Sequence, residues 1–305
     1  LWLLLLLAGC AGAPQTAQLM ANRPAGLPER QELSQVPFFA QDDWQCGPAA
    51  LATVLTHAGV PVRPEQLTPQ VYLPQRRGSL QAELLAATRR YGMLAYPLRP
   101  ELGASLRELA AGNPVLVLQN MRWPVWPQWH YAVLVGYDLA AGEVVLRSGD
   151  MARYTMSFGS FERSWAGGGY WAVVVLPPDR LPAGAEESRY LAAAAALERL
   201  RPEAARTAYR TALQRWPQSL GAELGLGNVA YTLHQPAQAE TAWREAVRQH
   251  PGAADAWNNL AQLLHEQGRR EEALAAAKQA VALGGPHSQQ YQTTLAEING
   301  ASPRP

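Results

Sequence analysis

Excess charge of either sign is missing from this chain: 26 Lys and Arg stand against 25 Asp and Glu in 305 residues. The balance holds within each half, so no segment concentrates the basic charge that neutralises phosphates, and a nucleic-acid partner is excluded. Cysteine is scarce as well. Two residues permit at most one disulfide, and with six scattered histidines they cannot assemble a four-ligand structural zinc site. No apolar run approaches the roughly 20 residues that a membrane-crossing helix needs. A phosphate-cradling loop is also missing: Gly167-Gly168-Gly169 is followed by no Lys and leads into an apolar run, as a turn does. What the chain does have is apolar content, 48% hydrophobic residues against 17% charged ones, which excludes disorder. Its length suggests two domains.

The first ten residues read as the end of an export signal. Leu1 to Leu7 are apolar, and Leu7-Ala8-Gly9-Cys10 resembles a bacterial lipobox, in which small residues admit a signal peptidase and the Cys takes a lipid. Ala11 after the Cys favours, by the same resemblance, the outer membrane facing the periplasm. Residues 11–35 are polar and carry several prolines, as a tether does. With Cys10 lipidated, Cys46 is the remaining thiol and has no partner within the chain.

From residue 36 to 178 helix and strand patterns mix. Ala50, Leu51, Val54, Leu55 and Ala58 mark one face of a helix beginning at Cys46 and stopping at Gly59. Leu80 to Tyr91 forms a second helix. Apolar, β-branched runs follow at Val115–Leu118, Tyr131–Tyr137, Val144–Leu146 and Tyr170–Leu176. A helical layer followed by strands on short connections argues for an α+β fold. Pro177, Pro178, Pro182 and Gly184 punctuate the chain and mark a linker over 179–185. Beyond it the chain is helical and periodic. A 34-residue offset relates Trp216-Pro217 to His250-Pro251, Ala205 to Ala239 and Ala273, and Ala212 to Ala246 and Ala280. Residues 186–300 thus resemble a tetratricopeptide-repeat solenoid of three repeats with a capping helix, which implies a groove that docks a protein partner.

One segment carries chemistry. Gln41-Asp42-Asp43-Trp44-Gln45-Cys46-Gly47-Pro48-Ala49-Ala50-Leu51 sets a cysteine at a helix N-terminus, where the helix field favours a thiolate. Gly47 leaves room for a substrate to approach. A thiolate needs a base, and two histidines precede the linker. His57 lies eleven residues along the same helix, about 16 Å away. His130 opens the run Trp129-His130-Tyr131-Ala132-Val133, where a loop enters a strand. Trp123, Trp126 and Trp129, spaced by Pro124 and Pro127, suggest a rigid rim beside it.

Gln41, Cys46-Gly47-Pro48-Ala49-Ala50-Leu51 and His130-Tyr131-Ala132-Val133 together resemble the bacteriocin-processing cysteine peptidases, papain-like domains that cut secretion leader peptides after a double glycine. The resemblance covers residues 36–176. It implies Cys46 as nucleophile, His130 as base and Gln41 as the donor to the oxyanion, with a carboxylate orienting the histidine and neither metal nor cofactor. Two departures stand out. Gln41 is one residue closer to the cysteine than usual, with Gln45 a second candidate. Ser148 also occupies the place of the orienting Asp, with Asp150 two residues on. Charge favours Asp150 and register favours Ser148; Asp150 is the expected partner. Asp138, about 26 Å along the strand from His130, is excluded. The resulting expectation is an α+β papain-like cysteine peptidase domain followed by an all-α repeat solenoid, lipid-anchored and acting on a peptide or protein. Its rivals are a non-catalytic peptide-binding scaffold and an acyl transferase using the same Cys–His pair.

Overall fold

The computed structural model describes residues 12–40 and 45–300. The chain divides into two compact units, Leu1–Arg189 and Tyr190–Pro305. In the first unit the helices are α1 (Pro14–Ala21), α2 (Cys46–His57), α3 (Pro64–Val71), α4 (Gln81–Arg90), α5 (Leu102–Ala110) and α6 (Phe158–Gly167). Its strands are β1 (Arg30–Glu32), β2 (Tyr72–Leu73), β3 (Gly78–Ser79), β4 (Leu94–Pro97), β5 (Val115–Asn120), β6 (Trp129–Asp138), β7 (Glu143–Ser148), β8 (Met151–Ser157) and β9 (Ala172–Leu176).

The main sheet runs β4-β9-β5-β6-β7-β8, and every neighbouring pair is antiparallel. β5 pairs β6 from Trp129 to Leu134, and β1 takes over from Gly136 to Asp138. Gly136 is needed there, because a Cβ would stand 2.6 Å from the Gln31 carbonyl oxygen. Every residue of β5 is buried, so Val115–Leu118 is continuously apolar rather than alternating. The reason is a helical layer on each face. Leu116, Val133, Val135, Val173 and Val175 pack with Leu51, Val54 and Leu55 of α2. On the strand alternation, Val115, Val117 and Leu134 point the other way, towards the side of the sheet that α5 and α6 contact. Sequence periodicity suggested one helical layer; the second is built by α5 and α6. Leu55 is fully buried, and truncating such a leucine to alanine costs about 2–5 kcal/mol.

Residues 14–32, expected as a tether, instead fold onto this unit. Glu162 of α6 accepts from the Gln15 and Thr16 amides at 2.9 and 2.6 Å and from the Thr16 hydroxyl at 2.7 Å. A carboxylate from α6 thereby caps the exposed donors at the start of α1. Gln15 in turn accepts from the Leu102 amide at 2.6 Å, and Leu19 is buried. The partners lie 87 to 147 residues away in sequence, and nothing local announces them. The linker is likewise fastened at its end: Tyr96 Oη accepts from the Glu186 amide at 3.1 Å, and Arg99 binds Glu186.

In the second unit, α7 (Glu187–Ala195) leads into α8 (Pro202–Arg215), α9 (Leu220–Thr232), α10 (Pro236–Gln249), α11 (Ala254–Glu266), α12 (Arg270–Leu283) and α13 (Ser288–Asn299). α7 begins within the first unit by this division. The starts of α9, α11 and α13 fall 34 residues apart, as do those of α8, α10 and α12. Ala205, Ala239 and Ala273 are fully buried, and so are Ala212, Ala246 and Ala280. The repeated small residues are therefore the points of closest helix approach. α13 occupies the place expected for a cap.

Candidate active site

Cys46 is the first residue of α2, and Gln45 before it supplies no side-chain cap. Pro48 falls in the first turn, where its missing N–H costs no helical hydrogen bond. Gly47 has a reason the sequence did not disclose. A Cβ there would collide with the side chain of Ser79, so glycine is required by the β2–β3 hairpin packing against α2. Burial pushes the Cys46 thiol above its ordinary value of 9.0. The backbone of Tyr131, Gly47 and Cys46 itself pulls the other way and is outweighed. The expected helix-terminus effect is present, but desolvation of the charged form is larger.

The backbone contact with Tyr131 sets the sulfur beside the start of β6, one residue from His130. Cys46 and His130 line the same cleft, of about 940 Å³. Burial lowers the His130 imidazole below 6.5, so both groups rest neutral at pH 7. His130 Nε2 lies 2.8 Å from Ser148 Oγ. Asp150, favoured by charge, is exposed in the turn between β7 and β8, and the group holding the ring is Ser148. The reason is register: Val133 pairs with Arg147, which brings the end of β7 alongside the start of β6. The chain then turns back at Gly149 to pair Ser148 with Met151, carrying Asp150 outward. Ser148 is itself buried. Its neighbour Arg147 donates to the carbonyls of Ser34, Val36 and Ala152, which fixes that end of β7.

Two excluded residues lie elsewhere. His57 Nε2 meets the Gly112 carbonyl at 3.0 Å, and Asp138 sits at the far end of β6, paired with Glu143. Gln41 and Cys10 fall outside the described residues. Gln45, the second oxyanion candidate, is half-buried immediately before Cys46.

Trp126 and Trp129 line the cleft, as does the turn Gly167–Gly169. Trp123 is 76% exposed and is not part of the lining. The loop carrying these indoles is pinned at its base, where Asn120 Oδ1 accepts from the Arg122 and Gln128 amides at 3.1 and 2.9 Å. Gly168 is another close approach: a Cβ would run into the Leu118 carbonyl. Sequence reading missed Arg76, Arg77, Ser79, Arg122 and Gln128 in the lining. They sit on hairpins and loops, and no local pattern marks them.

Comparison with known proteins agrees with this architecture. Residues 33–173 match the model of the Peptidase_C39 like family, and residues 190–233 and 224–288 match a tetratricopeptide-repeat model. A search of curated proteins returns no match. Among solved structures, the chain is similar to one from Bacillus anthracis described as a C39-like peptidase. That similarity is at 20% identity and a TM-score of 0.40, covering 49% of this chain and 98% of that one. The chain thus carries a C39-like peptidase domain followed by tetratricopeptide repeats.

Proposed function

We propose that this chain hydrolyses peptide bonds, with Cys46 as nucleophile and His130 as base, and that its repeats dock a protein. The observation that carries the reading is one cleft holding a thiol at a helix N-terminus and a histidine fastened from behind by Ser148. With Nε2 donating to Ser148 Oγ, the lone pair lies on Nδ1. That nitrogen takes the thiol proton as sulfur attacks the scissile carbonyl. The tetrahedral oxyanion is met by the Cys46 amide and the Gln41 side chain, and imidazolium returns the proton to the leaving amine. Water then repeats the sequence on the thioester. Because both groups begin neutral, proton transfer accompanies attack instead of preceding it.

The non-catalytic binding reading draws on the same cleft: a raised thiol and a hydroxyl in place of a carboxylate suit a site that holds peptide without cutting it. A peptide aldehyde separates the two. An active peptidase forms a thiohemiacetal at Cys46 and cleaves members of a random peptide library. No adduct and no cleavage would sink the peptidase reading. We further propose lipidation at Cys10, with the protein facing the periplasm from the outer membrane. Cys10→Ser in the precursor then moves the protein to the soluble fraction, and unchanged partition would remove the anchor. Protein docking by the repeats is tested by deleting residues 190–300 and reading association with crosslinked envelope proteins.

A further inference from the structure

The cleft's charge is one-sided although the chain's is not. Arg76, Arg77 and Arg122 line it, and no carboxylate does among the described residues. Arg76 comes from the β2–β3 hairpin, which packs on the helix of Cys46. Arg122 comes from the loop that leads to His130. The two therefore approach from the nucleophile's side and from the base's side. Both are exposed, and neither guanidinium makes an ion pair or hydrogen bond with another described residue. Several arginines elsewhere are matched: Arg99 with Glu186, Arg153 with Glu32, Arg269 with Glu240 and Glu272. Free guanidiniums at the two ends of a concave, partly apolar site act together, since low-dielectric walls focus their field inward. A planar guanidinium is matched by a carboxylate, which accepts from it through two oxygens.

We propose that Arg76 and Arg122 make this a site for anionic peptides, with a substrate carboxylate placed next to the bond facing Cys46. This deepens the peptidase reading and rests on it. The carboxylate could be an Asp or Glu side chain or a free chain end, and the chemistry is shared. Exposed pairs are individually weak, so two of them in a cleft should yield a preference of about tenfold.

Binding to the full-length Cys46→Ala protein tests this apart from hydrolysis. Three fluorescent peptides of one apolar framework serve as probes: an Asp/Glu peptide blocked at both ends, its blocked Asn/Gln counterpart, and the Asn/Gln peptide with a free C-terminus. One of the carboxylate peptides should bind about tenfold tighter than the blocked amide, and which one does so identifies the source. The preference should shrink in about 1 M salt, where screening acts within about 3 Å. It should vanish in R76Q/R122Q and be largely kept in R76K/R122K. Equal affinity for all three, or a preference untouched by R76Q/R122Q, would overturn the proposal. Wild-type turnover is the separate arm. Cleavage without discrimination removes only the anionic preference, whereas charge-dependent binding with no cleavage removes only the peptidase reading.

Discussion

A Cβ on Gly168 would run into the carbonyl of Leu118, and one on Gly227 would run into the indole of Trp243. The first neighbour is the backbone of β5, tied on both sides to β6 and β9, which shifts only at a cost to both ladders. The second is a side chain, and the same arrangement recurs nearby, where Gly225 receives the ring of Tyr209. The contrast holds for the two units as wholes. In the first, each important contact is unique and joins distant residues, as when Glu162 caps α1 or Ser148 meets His130. In the second, one helix-pair contact is written again every 34 residues, so local error is shared among similar neighbours. Chemistry needs the first kind of construction, because a reaction centre requires particular atoms at one place. A docking surface can be built from the second.

The largest test of that contrast is the nucleophile. Cys46→Ala should lower peptide turnover by on the order of 10³-fold or more with the melting temperature almost unchanged. No single alanine substitution in α8–α13 should approach that loss, and one that did would break the comparison.

Stability comes next. Gly168→Ala should cost about 2–4 kcal/mol, because strand backbone must shift, and turnover should fall as the Gly167–Gly169 turn moves out of the cleft. Gly227→Ala should cost less, about 1–2 kcal/mol, since the Trp243 ring can rotate away. Urea unfolding followed separately in the two units would check the ranking. Equal costs would mean that β5 is as yielding as a side chain.

Ser148 is a smaller effect. A hydroxyl orients the ring but lends no negative charge to imidazolium, so Ser148→Ala should lower kcat/KM about tenfold, roughly 1.4 kcal/mol in the barrier. Asp150→Asn should leave it unchanged. Ser148→Asp should restore or exceed the wild-type rate if orientation is the role; a merely structural serine would not respond in this way.

The smallest is a displacement in pH. His130 is held below 6.5 by burial, so the ring stays neutral and able to accept a proton as pH falls past 6.5. The acid limb of kcat/KM should therefore lie below pH 6.5. The sign for stability follows from the same shift. The unfolded chain takes up a proton at His130 near pH 6.5 and the folded one does so only lower, so stability is full above 6.5. It declines as pH falls towards the lowered value. Iodoacetamide labelling of Cys46 should be slow at pH 7 and accelerate only above 9, since burial raises the thiol. Rapid labelling at pH 6 would show a resting ion pair instead.

Sequence determined what repeats and what is chemically rare. The 34-residue offset of Ala205, Ala239 and Ala273 names helix contacts directly, because in a solenoid the neighbours in space are the neighbours in sequence. A cysteine opening an apolar helix and a histidine opening an apolar strand were legible because each sits at the end of a strongly patterned element. Other features had no such signal. β8 is a largely exposed edge strand whose alternation, Ala152, Tyr154 and Met156 against Arg153, Thr155 and Ser157, carries little strongly apolar side chain, and α1 opens on a proline in a polar segment. The choice of Ser148 over Asp150 required the β6–β7 register and the turn at Gly149, which charge alone cannot predict. Gly47 looked like room for a substrate and proved to be room for Ser79. Arg76 and Arg122 of the cleft come from connections separated by about 45 residues, and only the tertiary fold brings them to one site. Local patterning fixes elements through backbone hydrogen bonds and burial of one face. Which polar side chain meets which is decided by strand register and loop closure, where a shift of two residues exchanges a carboxylate for a hydroxyl.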